Sequence, residues 1–190
     1  MRKPRILIGC EESAKVRDAF RARGFDAYSN DILGTRGDSA WHITGDVFKA
    51  IRQCGPWDLA IFFPPCTHVC VSGARWWPQK IALQREALEF MRNLLEADIP
   101  RIAMENPIGC FSTYWCKPDQ IIQPWQFGHG ETKATCLWLK NLPLLVPTKI
   151  VSGRTARVHR MAPGPNRARD RSETYQGVAD AMADQWGILL

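Results

Sequence analysis

Short apolar runs alternate with helix-periodic stretches through the first half of the chain, and this alternation restricts the fold more than any other feature. "RILIG" (5–9) is apolar and rich in β-branched residues, as a buried strand requires. The next segment, "EESAKVRDAFRARG", spaces Val16, Ala19, Phe20 and Arg23 at helical intervals before Gly24 stops it. Further strands are expected over 25–31 ("FDAYSND"), 58–63 ("DLAIFF") and 101–105 ("RIAME"). Residues 79–97 read as a helix with Ile81, Leu88, Met91 and Leu95 on one face, and "VFKAIR" as a short one. Repeated strand–helix–strand units imply an α/β fold: a mostly parallel sheet, helices on both faces, and ligands beyond the strands' carboxyl ends. After residue 110 the pattern loosens to a strand over 134–139 ("ATCLWL"), a long loop over 152–171 and a final helix in "GVADAMADQWG" with Val178, Met182, Gln185 and Trp186 at helical spacing.

A length of 190 residues with 45% hydrophobic content is enough for one domain with its own core, so a single domain over 1–190 is expected. No apolar run approaches the roughly 20 residues of a membrane span. The basic start Met1-Arg2-Lys3 precedes an apolar run too short for a signal peptide, so the expectation is a cytoplasmic protein without a membrane. Seven cysteines, scattered and odd in number, read as mostly reduced thiols. The net charge of +6 is concentrated in 151–171, where Arg154, Arg157, Arg160, Arg167, Arg169 and Arg171 face a single acid, Asp170. Such a cluster is either a phosphate footprint or a solvated loop.

Four of the expected strands end in polar residues that share one crevice if the sheet is parallel: Gly9-Cys10-Glu11-Glu12-Ser13, Asp31, Pro64-Pro65-Cys66 and Glu105-Asn106-Pro107. An acid ending the second strand suits a ribose diol, so Asp31 is a cofactor candidate or else a turn aspartate. Asp46 either accepts from an adenine amine or caps "VFKAIR". The first loop lacks GxGxxG, which disfavours a pyrophosphate and favours a cofactor without phosphates. Cys66, His68 and Cys70 form C-x-H-x-C, but structural zinc needs a fourth ligand, usually from a second pair, and Cys110 and Cys116 are too widely spaced to supply it; no metal is expected. Cysteine is also a common core filler. Two prolines, however, force a rigid exit from the strand, and a thiol presented there, with Glu105 ending the next strand, reads best as a nucleophile beside an acid. Most tryptophans read as core, though Trp76 beside Arg75 could form a base-stacking lip. His129, between Gly128 and Gly130, reads as a surface histidine.

With these residues in view, the chain resembles the cytosine-5 DNA methyltransferases. "FPPCT" is similar to that family's Pro-Cys motif, "ENP" to its Glu-Asn-Val motif, "SND" to its acid-ended strand, and "ETKAT" (131–135) falls where it has Gln-x-Arg-x-Arg. The order is the family's, over roughly residues 4–145, and "TYQGVADAMADQWG" looks like its closing segment. The resemblance implies a Rossmann-like S-adenosylmethionine-dependent methyltransferase fold. It implies S-adenosyl-L-methionine held by Gly9, Cys10, Glu11, Ser13, Asp31, Asp46 and Pro64, with Cys66 adding to carbon 6 of cytosine and Glu105 protonating ring nitrogen 3. Pro65, Thr67, Asn106, Lys133, Thr135, Arg154 and Arg157 would meet a DNA substrate, duplex or single-stranded. The chain departs from the family in its reduced glycine motif, in Leu7 for the usual aromatic, in Thr67 for glutamine, and in Lys133 and Thr135 for arginines. The arginine-rich segment at about 151–171 stands in place of a target-recognition domain, so a protein partner could supply specificity. The alternatives are a catalytically silent nucleic-acid-binding or protein-binding relative, and an amino (N4/N6) DNA methyltransferase; Phe63 and Cys66 depart from that class's Pro-Pro motif.

Overall fold

A computed structural model describes residues 2–190; Met1, the first residue of the basic start, lies outside them. The alternation becomes β1 (Arg5–Gly9), α1 (Lys15–Ala22), β2 (Asp26–Asp31), β3 (His42–Thr44), α2 (Val47–Cys54), β4 (Leu59–Phe62), α3 (Ile81–Leu95) and β5 (Ile102–Pro107). After these come α4 (Phe111–Tyr114), β6 (Gln120–Ile122), β7 (Thr135–Lys140), α5 (Arg157–Arg160), α6 (Arg167–Ser172) and α7 (Gln176–Gly187). One seven-stranded sheet in the order β3-β2-β1-β4-β5-β7-β6 joins all the strands. The pairs from β3 to β5 are parallel, whereas β7 runs antiparallel to both neighbours. No helix among the described residues is long and apolar enough to cross a membrane.

Alternation along the strands divides the core into two layers. Ile6, Ile8, Leu59, Ile61, Ala103 and Leu137 pack on one face with α1 and α7. The intervening residues Leu7, Ala60, Phe62, Met104 and Trp138 pack on the other with α2 and α3. Burial on both faces is why these strands read as continuous apolar runs. Each fully buried large side chain contributes on the order of 1.5–3 kcal/mol of transfer free energy, and Trp186 of α7 and Phe20 of α1 are among the largest.

Several local expectations change. The stretch 152–171 is not one loop: it contains the short helices α5 and α6. Strand β5 continues past Glu105 to Pro107, so Asn106 lies within the strand and not after it. On the expected face of α3 Met91 is buried and Leu88 and Leu95 are half-buried, but Ile81 is exposed, and Gln84 and Leu94 are buried as well. The residues of β3 and β6 are too few for periodicity to find, and a nine-residue 3-10 segment, Val71–Gln79, precedes α3. The order reverses between β1, whose next strand in the chain lies on one side, and β4 on the other. Ligand crevices of open α/β sheets form at such a reversal.

Candidate active site

Beyond β4 the chain leaves the sheet through buried Pro64 and exposed Pro65, then turns sharply, since the Cys66 carbonyl accepts from the N–H groups of Val69 at 3.1 Å and Cys70 at 3.0 Å. Cys66 is a half-buried free thiol and Thr67 is exposed. The loop after β5 is laced to this turn. Fully buried Asn106 donates from Nδ2 to the Pro64 carbonyl at 2.8 Å. Cys110 N–H donates to the Val69 carbonyl at 2.8 Å and Val71 N–H to the Ile108 carbonyl at 3.1 Å. Gly109 permits the approach: a Cβ there would stand 2.3 Å from the Val69 carbonyl oxygen.

The third contributor is the start of β7. Because β7 is antiparallel to β5, Thr135 lies opposite Pro107 and Cys136 opposite Asn106, which brings Lys133 and Thr135 to the carboxyl end of β5. Glu105, Lys133, Thr135, Tyr175 and Met182 line a common cavity of about 20 Å³, room for one water molecule. Burial pushes the Glu105 carboxyl up from the ordinary carboxylate range, against the downward pull of the Lys133 ammonium and a hydrogen bond with Thr135. Burial also raises the Cys66 thiol; the charges of Cys70 and Glu105 act the same way, and Lys133 opposes them. That cation distinguishes Cys66. Cys10 is pushed up to about 12 by burial, Asp31 and Asp46, and Cys136 to about 11 by burial and Glu105, both without a compensating cation. Among the described residues no group of three or more His, Cys, Asp or Glu side chains is arranged to hold a metal ion.

The end of β1 stands next to that of β4 in the sheet, and the end of β2 next to that of β1. Gly9 packs so closely on the Phe62 ring that a Cβ would meet it at 2.6 Å. Cys10 and Ala14 take left-handed φ values of 59° and 64°, doing without glycine what a glycine-rich turn does more cheaply. Glu11 is buried and caps α1: its Oε1 accepts from Val16 N–H at 2.8 Å and from the Ser13 hydroxyl at 3.0 Å. Its Oε2, like Oδ1 of buried Asn30 on β2, is enclosed without a donor. Burial pushes the Glu11 carboxyl up to about 7. Asp31 ends β2 and accepts from Leu33 N–H through Oδ1 at 2.9 Å. Asp46 is the N-cap of α2, accepting from Lys49 N–H at 2.8 Å. Asp31, Asp46 and Cys10 are near enough for both acids to act on the thiol.

The arginine-rich segment is mostly exposed, but two of its arginines have partners within the chain. Arg154 stacks on Trp125, 4.0 Å from its ring centre, and donates to the carbonyls of Val151 and Gly153. Arg157 donates to both Glu131 oxygens at 3.0 Å, and the Tyr175 hydroxyl donates to the same carboxylate at 2.7 Å. With Lys15, His129 and Glu173 these residues line an outer cleft of about 390 Å³ that meets the inner cavity at Tyr175. His129 is half-buried and not a free surface histidine, because its Nε2 accepts the Gly177 N–H at the start of α7 at 2.9 Å. Tyr175 itself escaped the sequence reading as a site residue; its signal was its place in the "TYQG" closing segment. Asn30, within "SND", was not singled out; its Nδ2 donates to the carbonyls of Ile43 at 2.7 Å and Gly45 at 3.0 Å, across the pairing with β3.

No protein-family model matches this chain, and no curated protein does.

Proposed function

We propose that the chain is a DNA (cytosine-5) methyltransferase acting through a covalent cysteine adduct. The observation that carries this reading is the lacing of the Cys66 turn to the end of β5, with Asn106 bonded to Pro64 and Lys133 acting on both Cys66 and Glu105. The order β3-β2-β1-β4-β5 is that of doubly wound sheets and supports a Rossmann-like fold, extended by the antiparallel β6–β7 pair.

S-adenosyl-L-methionine suits the residues at β1 and β2. Glu11 Oε2 and Asn30 Oδ1 lack donors, and a ligand bringing hydroxyl, amine and positive charge supplies them; Gly9, Cys10, Glu11, Ser13, Asp31 and Pro64 would hold it beside Asp46. When bound, it supplies an electrophilic methyl group to carbon 5. The protein's own part is acid and nucleophilic catalysis. The Cys66 thiolate forms a bond to carbon 6 of cytosine while Glu105, whose carboxyl is raised by burial, passes a proton to nitrogen 3, and the displaced electron pair enriches carbon 5. After methylation a water molecule takes the carbon-5 proton, the electron pair left behind re-forms the carbon 5–carbon 6 double bond and expels Cys66 as thiolate, and nitrogen 3 returns its proton to Glu105. The target base must be unpaired or flipped to reach these groups.

The test is incubation with S-adenosyl-L-methionine and DNA containing 5-fluorocytosine, whose carbon-5 fluorine cannot leave as a proton. A denaturation-resistant protein–DNA adduct that disappears in Cys66→Ala is expected. Absence of an adduct on both single-stranded and duplex DNA overturns the reading, and N4-methylcytosine in nucleosides from expressing cells replaces it with an amino methyltransferase.

A further inference from the structure

We infer that the segment between the Cys66 turn and α3 is a docking lip for unpaired DNA, with Trp76 as the stacking platform. The inference rests on reading Cys66 and Glu105 as the active site and names the form of substrate that reaches them. Adjacent tryptophans in this segment have opposite roles. Trp77 packs into the core layer under β4, while Trp76 is 45% exposed with the Arg75 guanidinium 4.9 Å from its ring centre. Val71 and Ile108, joined by the backbone bond between the two loops, are exposed at 50% and 43% beside the Cys66 turn. The lip is fixed to that turn: Gly73 N–H donates to the Cys70 carbonyl at 3.1 Å, and Gln84 of α3 donates to the His68 carbonyl at 3.2 Å.

Its charge is one-sided. No acid occurs between Asp58 and Glu86, or between Glu105 and Asp119, whereas Arg75, Lys80, Arg85 and Lys117 do. Aromatic faces beside cations and without carboxylates are what a single strand needs, because bases stack on the rings and phosphates meet the cations. A duplex keeps its bases stacked on one another and offers an isolated exposed tryptophan only its backbone. Within the arginine-rich segment, Arg154 is stacked on Trp125 and Arg157 is paired with Glu131.

Fluorescence anisotropy of a labelled single-stranded oligodeoxynucleotide, its duplex and the matching RNA, with the full chain and no cofactor, tests this. Single-stranded DNA should bind at least about tenfold more tightly than the other two. Trp76→Ala should lose about 5- to 150-fold of that affinity, the equivalent of one base–aromatic stack, and Trp76→Phe should keep most of it. Thermal unfolding checks that both variants keep the fold, and Trp76→Phe retains the ring's packing. Unchanged binding in Trp76→Ala, a preference for duplex or RNA, or a wild-type dimer that Trp76→Ala turns into a monomer in sedimentation each overturn the proposal. Cofactor-free binding separates the two readings. Trp76-dependent binding without a 5-fluorocytosine adduct removes the methyltransferase and keeps the lip, and an adduct formed only on duplex removes the lip and keeps the methyltransferase.

Discussion

The chemistry of the site turns on a thiol that burial makes a poor nucleophile and a single lysine that works against this. Cys66 is raised by its surroundings and Lys133 opposes the shift, so removing the ammonium should raise the thiol further. Alkylation of Cys66 by iodoacetamide, followed by peptide mass mapping across a pH series, should therefore be slower in Lys133→Met below the midpoint, where the thiolate fraction limits the rate. Its midpoint should move to higher pH, and Lys133→Arg should restore most of the rate; an unchanged profile would remove Lys133 from the site's electrostatics. Asn106 acts differently, through a buried hydrogen bond to the Pro64 carbonyl. Asn106→Ala leaves that acceptor unsatisfied and should cost about 1–3 kcal/mol in urea unfolding. It should also slow adduct formation, since the turn that presents Cys66 loses its bracket.

Between elements, the decisive contact is backbone on backbone. The loops after β4 and β5 touch where Gly109 meets Val69, and no side chain can yield there to admit a methyl group. Gly109→Ala should destabilise by about 1–3 kcal/mol, measured by chemical denaturation, and should loosen the Cys66 turn enough to expose its thiol to alkylation. Gly73→Ala is the control in the same region. Its nearest neighbour is 3.7 Å away, ordinary contact distance, and its stability should stay within about 0.5 kcal/mol of the wild type. Equal effects from the two substitutions would mean that close approach of the loops is not what Gly109 provides.

Across the whole molecule, stability is linked to pH through Glu11, which joins β1, β2 and α1. Its carboxyl rises from the ordinary 4.5 to about 7 in the folded chain, so between these values the folded state holds more proton than the unfolded state. Stability should therefore fall as pH rises through that window, by roughly 3 kcal/mol in total if Glu11 acted alone. Glu11→Gln keeps the acceptor for Val16 and should flatten the decline, as urea unfolding at pH values from about 5 to about 8 would show. A decline of equal slope in the variant would assign it to other groups.

The sequence by itself determined the repeating layers. Apolar runs such as "RILIG" and "DLAIFF" exclude water from both faces wherever they pair, and 3.6-residue spacing in α1, α3 and α7 selects the helices that cover them. It also placed Cys66, Glu105 and Asp31 at strand ends, because chain order and a parallel sheet are enough to do so. Direction and contact were not legible. Nothing in "ATCLWL" says that β7 runs antiparallel, yet only that direction carries Lys133 and Thr135 to Glu105. Nothing in "ENP" says that Asn106 reaches across to Pro64, or that Arg157, read as a contact for substrate, spends its charge on Glu131. These are long-range pairings, settled by which surfaces meet after collapse, and local periodicity holds no record of them.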